Sequence, residues 1–174
     1  MEDQQRYRIV PAFGCTPRVG DLVCMMDRVR ARTLEAVEGL RMGQLDHVVD
    51  DRANSIGALL IHVAAIETLH GIVSFENRAP TSEERERLAP ALSLGDRARR
   101  ELRGRRLEDY LETLAEVRER TKTQLREKND AWLTEERDYV GGARANNHYI
   151  WFHVAEDETN HRGQISWLRK RLPS

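Results

Sequence analysis

The chain has 174 residues, of which 40% are hydrophobic and 33% are charged, so it is long enough for one globular domain with its own buried core. Its 28 basic and 29 acidic residues leave a net charge of −1, which excludes a whole-protein field that attracts nucleic acid or an anionic membrane. No segment approaches the run of about 18 apolar residues that a membrane-spanning helix needs. Neither nucleic acid nor a membrane is therefore expected as a partner.

The cysteines and the first residues indicate the cellular compartment. Cys15 and Cys24 are spaced neither as a redox pair nor as a zinc framework. The N-terminus is polar and acidic and lacks the apolar segment of a secretory signal peptide. Both observations predict a reducing, cytoplasmic location.

Helical periodicity marks two long segments in the first half of the chain. From about residue 18 to residue 42, apolar residues recur at steps of three and four, and Gly43 is expected to end this helix. A second helix is predicted from about 54 to 77, with Asn54 and Ser55 as capping residues. The two apolar stripes are Leu22, Met26, Val29, Ala36 or Val37 and Leu40 in the first helix, and Leu59, Ile66, Leu69 and Val73 in the second.

Two further helices are predicted in the second half, at about 107–128 and 145–171. The segment 130–140 between them is expected to be a loop or a short extended piece. Four amphipathic helices of this length predict an all-α fold, a single four-helix bundle over residues 1–174. The inward residues are Leu107, Tyr110, Leu111, Leu114, Val117 and Leu125 in the third helix, and Ile150, Val154, Ile165 and Leu168 in the fourth.

A long, charged connection joins the second and third predicted helices. It covers residues 78–106 and holds six arginines between Arg97 and Arg106, a charge run that is typical of a solvated surface. Thr81-Ser-Glu-Glu84 has the pattern of a capping box and predicts a short extra helix. Pro80 and Pro90 are expected to lie outside helices.

Polar residues interrupt the apolar face of the fourth predicted helix. His153, Asp157 and His161 follow one another at steps of four, which places them on one side of a helix. On the second helix, His62 falls in line with Leu59 and should also face inward. A carboxylate that faces a core is costly unless it is paired or bound to a cation. The pattern therefore indicates a metal site between these two helices.

Helix geometry limits which residues can bind one ion. His153 and His161 are about 12 Å apart along the helix axis at 1.5 Å per residue, so they cannot both ligate an ion with bonds near 2 Å. The fourth helix supplies either His153 with Asp157 or Asp157 with His161. The competing interpretation is that these histidines are satisfied core or half-exposed residues. His47, His70 and His148 are expected to be structural or surface residues.

Three segments carry a resemblance to a known family. The string from His153 through His161-Arg-Gly-Gln to Ile165 resembles the fourth-helix motif of the DinB-like (YfiT-type) superfamily. The segment 54–67 resembles its second-helix motif, and Ala36–Leu40 followed by Gln44–Asp46 resembles the end of its first helix. The third helix matches in pattern alone.

The resemblance implies a four-helix bundle, commonly a homodimer, and a divalent metal held by three residues. On matching positions these are His62, Asp157 and His161. Asp157 stands where relatives usually have histidine, and a carboxylate shifts preference toward zinc, manganese or iron. Zinc is the expected ion, with nickel as a further candidate in the family. His153 then becomes a group next to the metal or facing the substrate.

Relatives of this superfamily include thiol-dependent enzymes, among them mycothiol-dependent maleylpyruvate isomerase and bacillithiol or mycothiol S-transferases. The first hypothesis is thus a metal-dependent S-transferase that acts with a small cellular thiol. Glu156, Glu158 or His153 would assist proton transfer, and arginines of the segment 78–106 would bind an anionic thiol. The alternative is a non-catalytic stress-response or binding protein with a structural metal or an empty site.

Overall fold

The structure is a computed structural model that describes residues 7–173. Residues 1–6, on which the expectation about a signal peptide partly rests, and Ser174 lie outside the described part. The described residues form seven α-helices, one short hairpin and two 3-10 turns at Trp132–Thr134 and Val140–Gly142. The helices and strands are α1 (Pro17–Val37), α2 (Met42–Leu45), α3 (Ile56–Phe75), α4 (Ser82–Ser93), α5 (Gly95–Glu101), α6 (Leu107–Arg126), β1 (Glu136–Asp138), β2 (Arg144–Asn146) and α7 (Asn147–Arg169).

The four long helices α1, α3, α6 and α7 build the bundle, which confirms the predicted fold class. α7 packs against both α1 and α3, and α3 packs in turn against α6. With one exception, every end of these helices lies within two residues of its predicted position. Apolar periodicity was sufficient to locate these helices because each of them buries one continuous face.

The exception is the end of the first helix, where the prediction was wrong. α1 ends at Val37 instead of continuing to residue 42. Gly39 follows with a φ of +74°, a left-handed conformation that glycine adopts without strain and that stops a helix. Gly43, the predicted stop, instead lies inside the short helix α2.

The long connection carries α4 and α5 and lies against α3. Its capping box is confirmed, because the N–H of Glu84 donates to Thr81 Oγ1 at 3.1 Å and the N–H of Thr81 donates to Glu84 Oε2 at 2.7 Å. Pro90, which was predicted to lie outside helices, is buried inside α4. Proline has no N–H to donate to the carbonyl four residues earlier, so α4 lacks one helical hydrogen bond at this position.

One helix of the described chain, α3, is more apolar than the sequence analysis expected. An 18-residue window within it reaches a mean hydropathy of 1.8, which would suffice for a membrane span by length and composition. Within the bundle, 67% of that window is buried. Its apolar surface is covered by α4, α6 and α7, as expected for a core helix.

The centre of the bundle is charged. Each long helix contributes one residue to what we call the buried quartet: Arg30 of α1, Glu67 of α3, Arg118 of α6 and Glu158 of α7, all at most 6% exposed. The guanidinium of Arg30 contacts Glu158 at 2.8 Å and Glu67 at 3.0 Å. Arg118 contacts Glu67 at 2.9 Å and Glu158 at 3.2 Å. Each carboxylate is therefore paired with both arginines, which offsets the cost of burying four charges.

The electrostatics of Glu67 follow from this pairing. Burial by itself raises the pKa of Glu67, but the charges and hydrogen bonds of Arg118 and the charge of Arg30 outweigh it. The pKa of Glu67 consequently lies below its usual value. Remaining N–H groups of the two arginines donate to the main-chain oxygens of Leu114 and Met26 at 2.7 and 2.8 Å.

A short hairpin leads into α7. β1 pairs antiparallel with β2, with Arg137 opposite Ala145. A loop and a short extended piece were the two alternatives predicted for the segment 130–140, and β1 is such an extended piece. The side chain of Asn146 then caps α7, accepting from the N–H of Tyr149 at 2.8 Å. The hairpin thereby places Tyr139 beside α3, near the first turns of α7.

Candidate metal centre

Two rows of polar residues meet in the groove between α3 and α7. His62 and His70 are eight residues apart on α3, and His153 and His161 are eight residues apart on α7. The rings of His62 and His161 lie 4.4 Å apart between centroids, and those of His70 and His153 lie 5.5 Å apart. The helices are therefore antiparallel in this register, with Asp157 midway between the two ring pairs.

The triad His62, Asp157 and His161 offers three ligand atoms that all lie within 4.8 Å of one another. His62 Nε2 is 3.6 Å from Asp157 Oδ2, and His161 Nε2 is 3.5 Å from Asp157 Oδ1. Ligand atoms around a tetrahedral ion with bonds near 2.1 Å are separated by about 3.4 Å. The two imidazole–carboxylate distances are thus close to the separation that a divalent metal requires.

A main-chain oxygen orients His62. Its Nδ1 lies 2.8 Å from the carbonyl oxygen of Ala91. Because a carbonyl can only accept, Nδ1 carries a proton, and Nε2 faces Asp157 as the nitrogen that can ligate a metal when the ring is neutral. Ala91 lies in the last turn of α4, where helix carbonyls have no partner within the helix. Orienting partners of this kind are typical of metal-binding histidines.

Two atoms of the triad are buried without a hydrogen-bond partner among the described residues. They are Asp157 Oδ2 and His161 Nδ1. Burial raises the pKa of Asp157, but the close approach of His161 and His62 outweighs burial and holds the pKa below its usual value. Asp157 is therefore a carboxylate, which favours a cation. The donor set of one carboxylate and two imidazoles fits a divalent metal.

The triad lies at the edge of the core rather than at its centre. The side chains of His62, His161 and Asp157 are 8%, 13% and 16% exposed, whereas Glu158 is 1% exposed and faces the buried quartet. One residue along a helix turns by about 100°. The predicted inward residues Ile150, Val154, Ile165 and Leu168 are buried, whereas His153, Asp157 and His161 form the neighbouring stripe at the edge of the core.

His153 does not join the triad. Its Nδ1 lies 3.4 Å from Glu156, and its side chain is 33% exposed. Of the two ligand pairs that spacing left open, the structure brings together Asp157 and His161. Within residues 7–173 no fourth histidine, cysteine or carboxylate completes the group.

His70, expected from the sequence to be a structural or surface residue, forms a polar pair with Tyr139. It is 4% exposed, with Nδ1 2.7 Å from the carbonyl oxygen of Ile66 and Nε2 2.9 Å from Tyr139 Oη. Since Nδ1 donates to that carbonyl, the hydroxyl of Tyr139 donates to Nε2. Burial lowers the pKa of His70 and raises that of Tyr139 to about 12, so both groups are neutral. Its spacing of eight residues from His62 was the available signal.

The other predicted assistants have different surroundings. Glu158 is held by both arginines of the buried quartet. In the connection, Arg78 pairs with Glu84 and Arg97 with Glu86, at 2.7 Å in each case, and Arg99 pairs with Asp96. These three arginines therefore have carboxylate partners within their own segment.

Comparisons with known proteins agree with the bundle and with the predicted resemblance. A family model described as Mycothiol-S-transferase matches residues 21–173, which include the whole triad. A solved structure described as a conserved protein of locus from Enterococcus faecalis is similar, with a TM-score of 0.63 and 15% identity over 87% of this chain and 94% of that chain. At this identity the likeness shows the fold alone. A comparison with curated proteins gives no match.

Proposed function

Because the chain belongs to the mycothiol-S-transferase family, we propose that it joins the sulfur of mycothiol to a small electrophile at a metal held by His62, Asp157 and His161. The observation that carries the proposal is a set of three ligand atoms within 4.8 Å, with no fourth protein ligand among the described residues. A site with three protein ligands leaves a position for a substrate, as in catalytic zinc sites.

The charges of the triad suit a thiolate. Two neutral imidazoles and one carboxylate leave a divalent ion with one net positive charge, which a thiolate cancels. Zinc is the ion we propose, since it accepts nitrogen, oxygen and sulfur ligands together. When bound, such an ion lowers the pKa of a thiol, so that the nucleophilic form is present at neutral pH.

His153 is the group that we propose as the proton acceptor. Its Nδ1 faces Glu156, and it lies one helical turn before Asp157, with its side chain 33% exposed. The S–H bond breaks with its proton passing to His153, the sulfur bonds to the electrophilic carbon, and the leaving group departs with its electron pair. Glu158 does not serve as the proton acceptor in this proposal, because its carboxylate is paired with two arginines.

Metal analysis and a transfer assay test the proposal together. Protein purified without a metal-affinity tag should hold about one zinc per chain and accelerate transfer from mycothiol to a generic electrophile such as chlorodinitrobenzene. His161→Ala should lose both, because two ligands hold an ion poorly. The matched control is His148→Ala, a histidine on the same helix outside the triad.

Two outcomes separate the hypotheses. Zinc-loaded protein whose rate equals that of mycothiol alone would contradict the transferase proposal and favour a binding protein with a structural metal. Absence of metal after expression with ample zinc would contradict the site itself.

The homodimer and the cytoplasmic location stay predictions from the sequence. Cys15 and Cys24 are free thiols, and the proposal of a reducing compartment is supported by this because disulfides are rare there. Met25 of α1 and Phe152 of α7 are 39% and 51% exposed. We propose that a second copy of the chain packs against the surface around these two side chains.

A further inference from the structure

A cavity of about 600 Å³ opens between the loop that precedes α3 and the last turns of α7. Asn160 and Gln164 line it, and they follow Asp157 and His161 by three residues each. Residues three apart on a helix are neighbours on its surface. The cavity therefore begins about one helical turn from the candidate metal ligands.

Side-chain amides and an indole dominate the cavity wall. Asn54 lines it from the loop, opposite Asn160 and Gln164 of α7. An amide side chain both donates and accepts hydrogen bonds. Trp167 adds a large flat surface that is 47% exposed, and the guanidinium of Arg171 lies 3.7 Å from its ring centroid.

The loop side of the cavity is held in place by hydrogen bonds. Asn54 Oδ1 accepts from the N–H of Gly95 at 2.9 Å, a bond that leaves the NH₂ group to donate to a ligand. Asp50 Oδ1 accepts from the N–H groups of Arg52 and Ala53 at 2.9 and 2.8 Å, so Oδ2 can accept from a ligand. These polar groups have fixed positions before any ligand arrives, which reduces the entropy lost on binding.

The chemistry of this wall selects a class of ligand. Arg52 and Asp50 are the charged side chains of the lining and have opposite charges, while the guanidinium of Arg171 stacks on the indole of Trp167 next to them. Hydroxyl groups both donate and accept, so a ring that carries many hydroxyls can pair with the amides while its C–H face packs on the indole.

We propose that this cavity binds the polyhydroxylated ring portion of the thiol substrate. The inference rests on the proposed function, since mycothiol carries its cysteine thiol on an amino sugar joined to inositol. With the rings held by Asn54, Asn160, Gln164 and Trp167, the thiol end reaches toward the triad. The cavity thereby distinguishes a sugar-linked thiol from a small thiol without rings.

Calorimetric titration with glucosaminyl-inositol, the part of the substrate without the thiol, tests this directly. The wild-type protein should bind it saturably. Asn160→Ala and Gln164→Ala should each weaken binding about 3- to 10-fold through a lost hydrogen bond, and Trp167→Ala should weaken it at least as much. Gln124→Ala on α6, outside this cavity, is the matched control and should bind as the wild type does.

The outcomes distinguish this inference from the proposed function. No saturable binding of glucosaminyl-inositol to the wild type, or equal binding by wild type and variants of unchanged thermal stability, overturns the inference. Thiol transfer whose KM for mycothiol is the same in all three variants also overturns it, and leaves the function standing. Sugar binding with the expected variant pattern, but without transfer, supports the cavity assignment and contradicts the function.

Discussion

Asp157 stands at the ligand position where the resemblance to the DinB-like superfamily implies a histidine. It contacts both imidazoles of the triad through different oxygens, so the whole geometry depends on it. Because its pKa lies below the usual value, it stays ionised as the pH falls through the range in which free imidazoles gain protons. The carboxylate therefore keeps the charge that attracts a cation at neutral and mildly acidic pH.

Substitution of Asp157 tests this assignment. Asp157→Ala should weaken zinc binding by more than about 100-fold, because loss of a partner outside the ligand shell already costs 10–100-fold. Asp157→His should retain the ion and raise nickel relative to manganese, since imidazole suits nickel and carboxylate suits manganese. Competition binding followed by metal analysis measures both effects. The control is Asp138→Ala, whose side chain is 94% exposed; equal zinc affinity in Asp157→Ala and this control would remove Asp157 from the site.

Among the secondary-structure elements, α4 is the part of the long connection that contacts the candidate site. Its first turn is fixed by the Thr81 capping box and its last turn orients His62. A helix of 12 residues has little stability of its own. The cap at one end therefore supports the histidine partner at the other.

Thr81→Ala should loosen this helix. Loss of the cap costs about 1 kcal/mol, so amide hydrogen exchange in α4 should become about fivefold faster if it proceeds by local opening. Exchange in α6 should not change, and zinc affinity should fall because Ala91 holds His62 less firmly. The matched control is Thr113→Ala on α6, whose hydroxyl donates to the Asp109 carbonyl. Unchanged exchange across α4 would contradict this role of the cap.

Elements with a long apolar face were predictable and those without one were not. The end of α1 was misplaced because Leu40 continues the apolar period past Val37, while the conformation of Gly39 breaks the helix. The hairpin strands have three residues each, which is too short for an alternating pattern. Pro90 was misjudged because proline disfavours a helix interior, and the burial of its ring in α4 depends on tertiary packing.

The sequence was sufficient to predict those features of the candidate site that depend on the spacing of residues within one helix. His62, Asp157 and His161 carry both the helical spacing and the resemblance. The contact of His62 with Ala91 joins residues 29 positions apart and depends on how α4 packs. The buried quartet escaped notice because Arg30 and Arg118 fall in the gaps of the apolar stripes, at the four-residue step after Met26 and after Leu114.

At the scale of the whole molecule, the buried quartet connects all four long helices through paired charges. Each arginine also donates to a main-chain oxygen of another helix. Removing one partner of such a network leaves an uncompensated charge, which destabilises more than the intact network stabilises. The quartet therefore favours one register of the four helices over the alternatives.

Glu67→Gln tests this view. The substitution keeps the shape but leaves two buried guanidiniums with one carboxylate, so the free energy of unfolding at pH 7 should fall by about 3–5 kcal/mol. Because the pKa of Glu67 is lowered by folding, its contribution is fully present above the ordinary value of 4.5 and is lost as the pH falls through the folded value. Urea denaturation at several pH values measures both.

The difference in stability between wild type and Glu67→Gln should accordingly narrow below pH 4.5. Glu112→Gln, an exposed carboxylate on α6, is the matched control and should change stability by less than about 0.5 kcal/mol. Equal stability of Glu67→Gln and the wild type at pH 7 would contradict a structural role for the quartet.

The acceptor for His62 is a peptide oxygen, and this has a consequence for how such a site can change during evolution. Every amino acid carries that oxygen, so point substitutions at position 91 leave the acceptor in place as long as the backbone stays where it is. An insertion or deletion within α4 would instead shift a different carbonyl toward the imidazole, or none. The orientation of His62 therefore depends on the number of residues in α4 more than on their types. A change in the length of α4 would disturb this orientation sooner than a point substitution would.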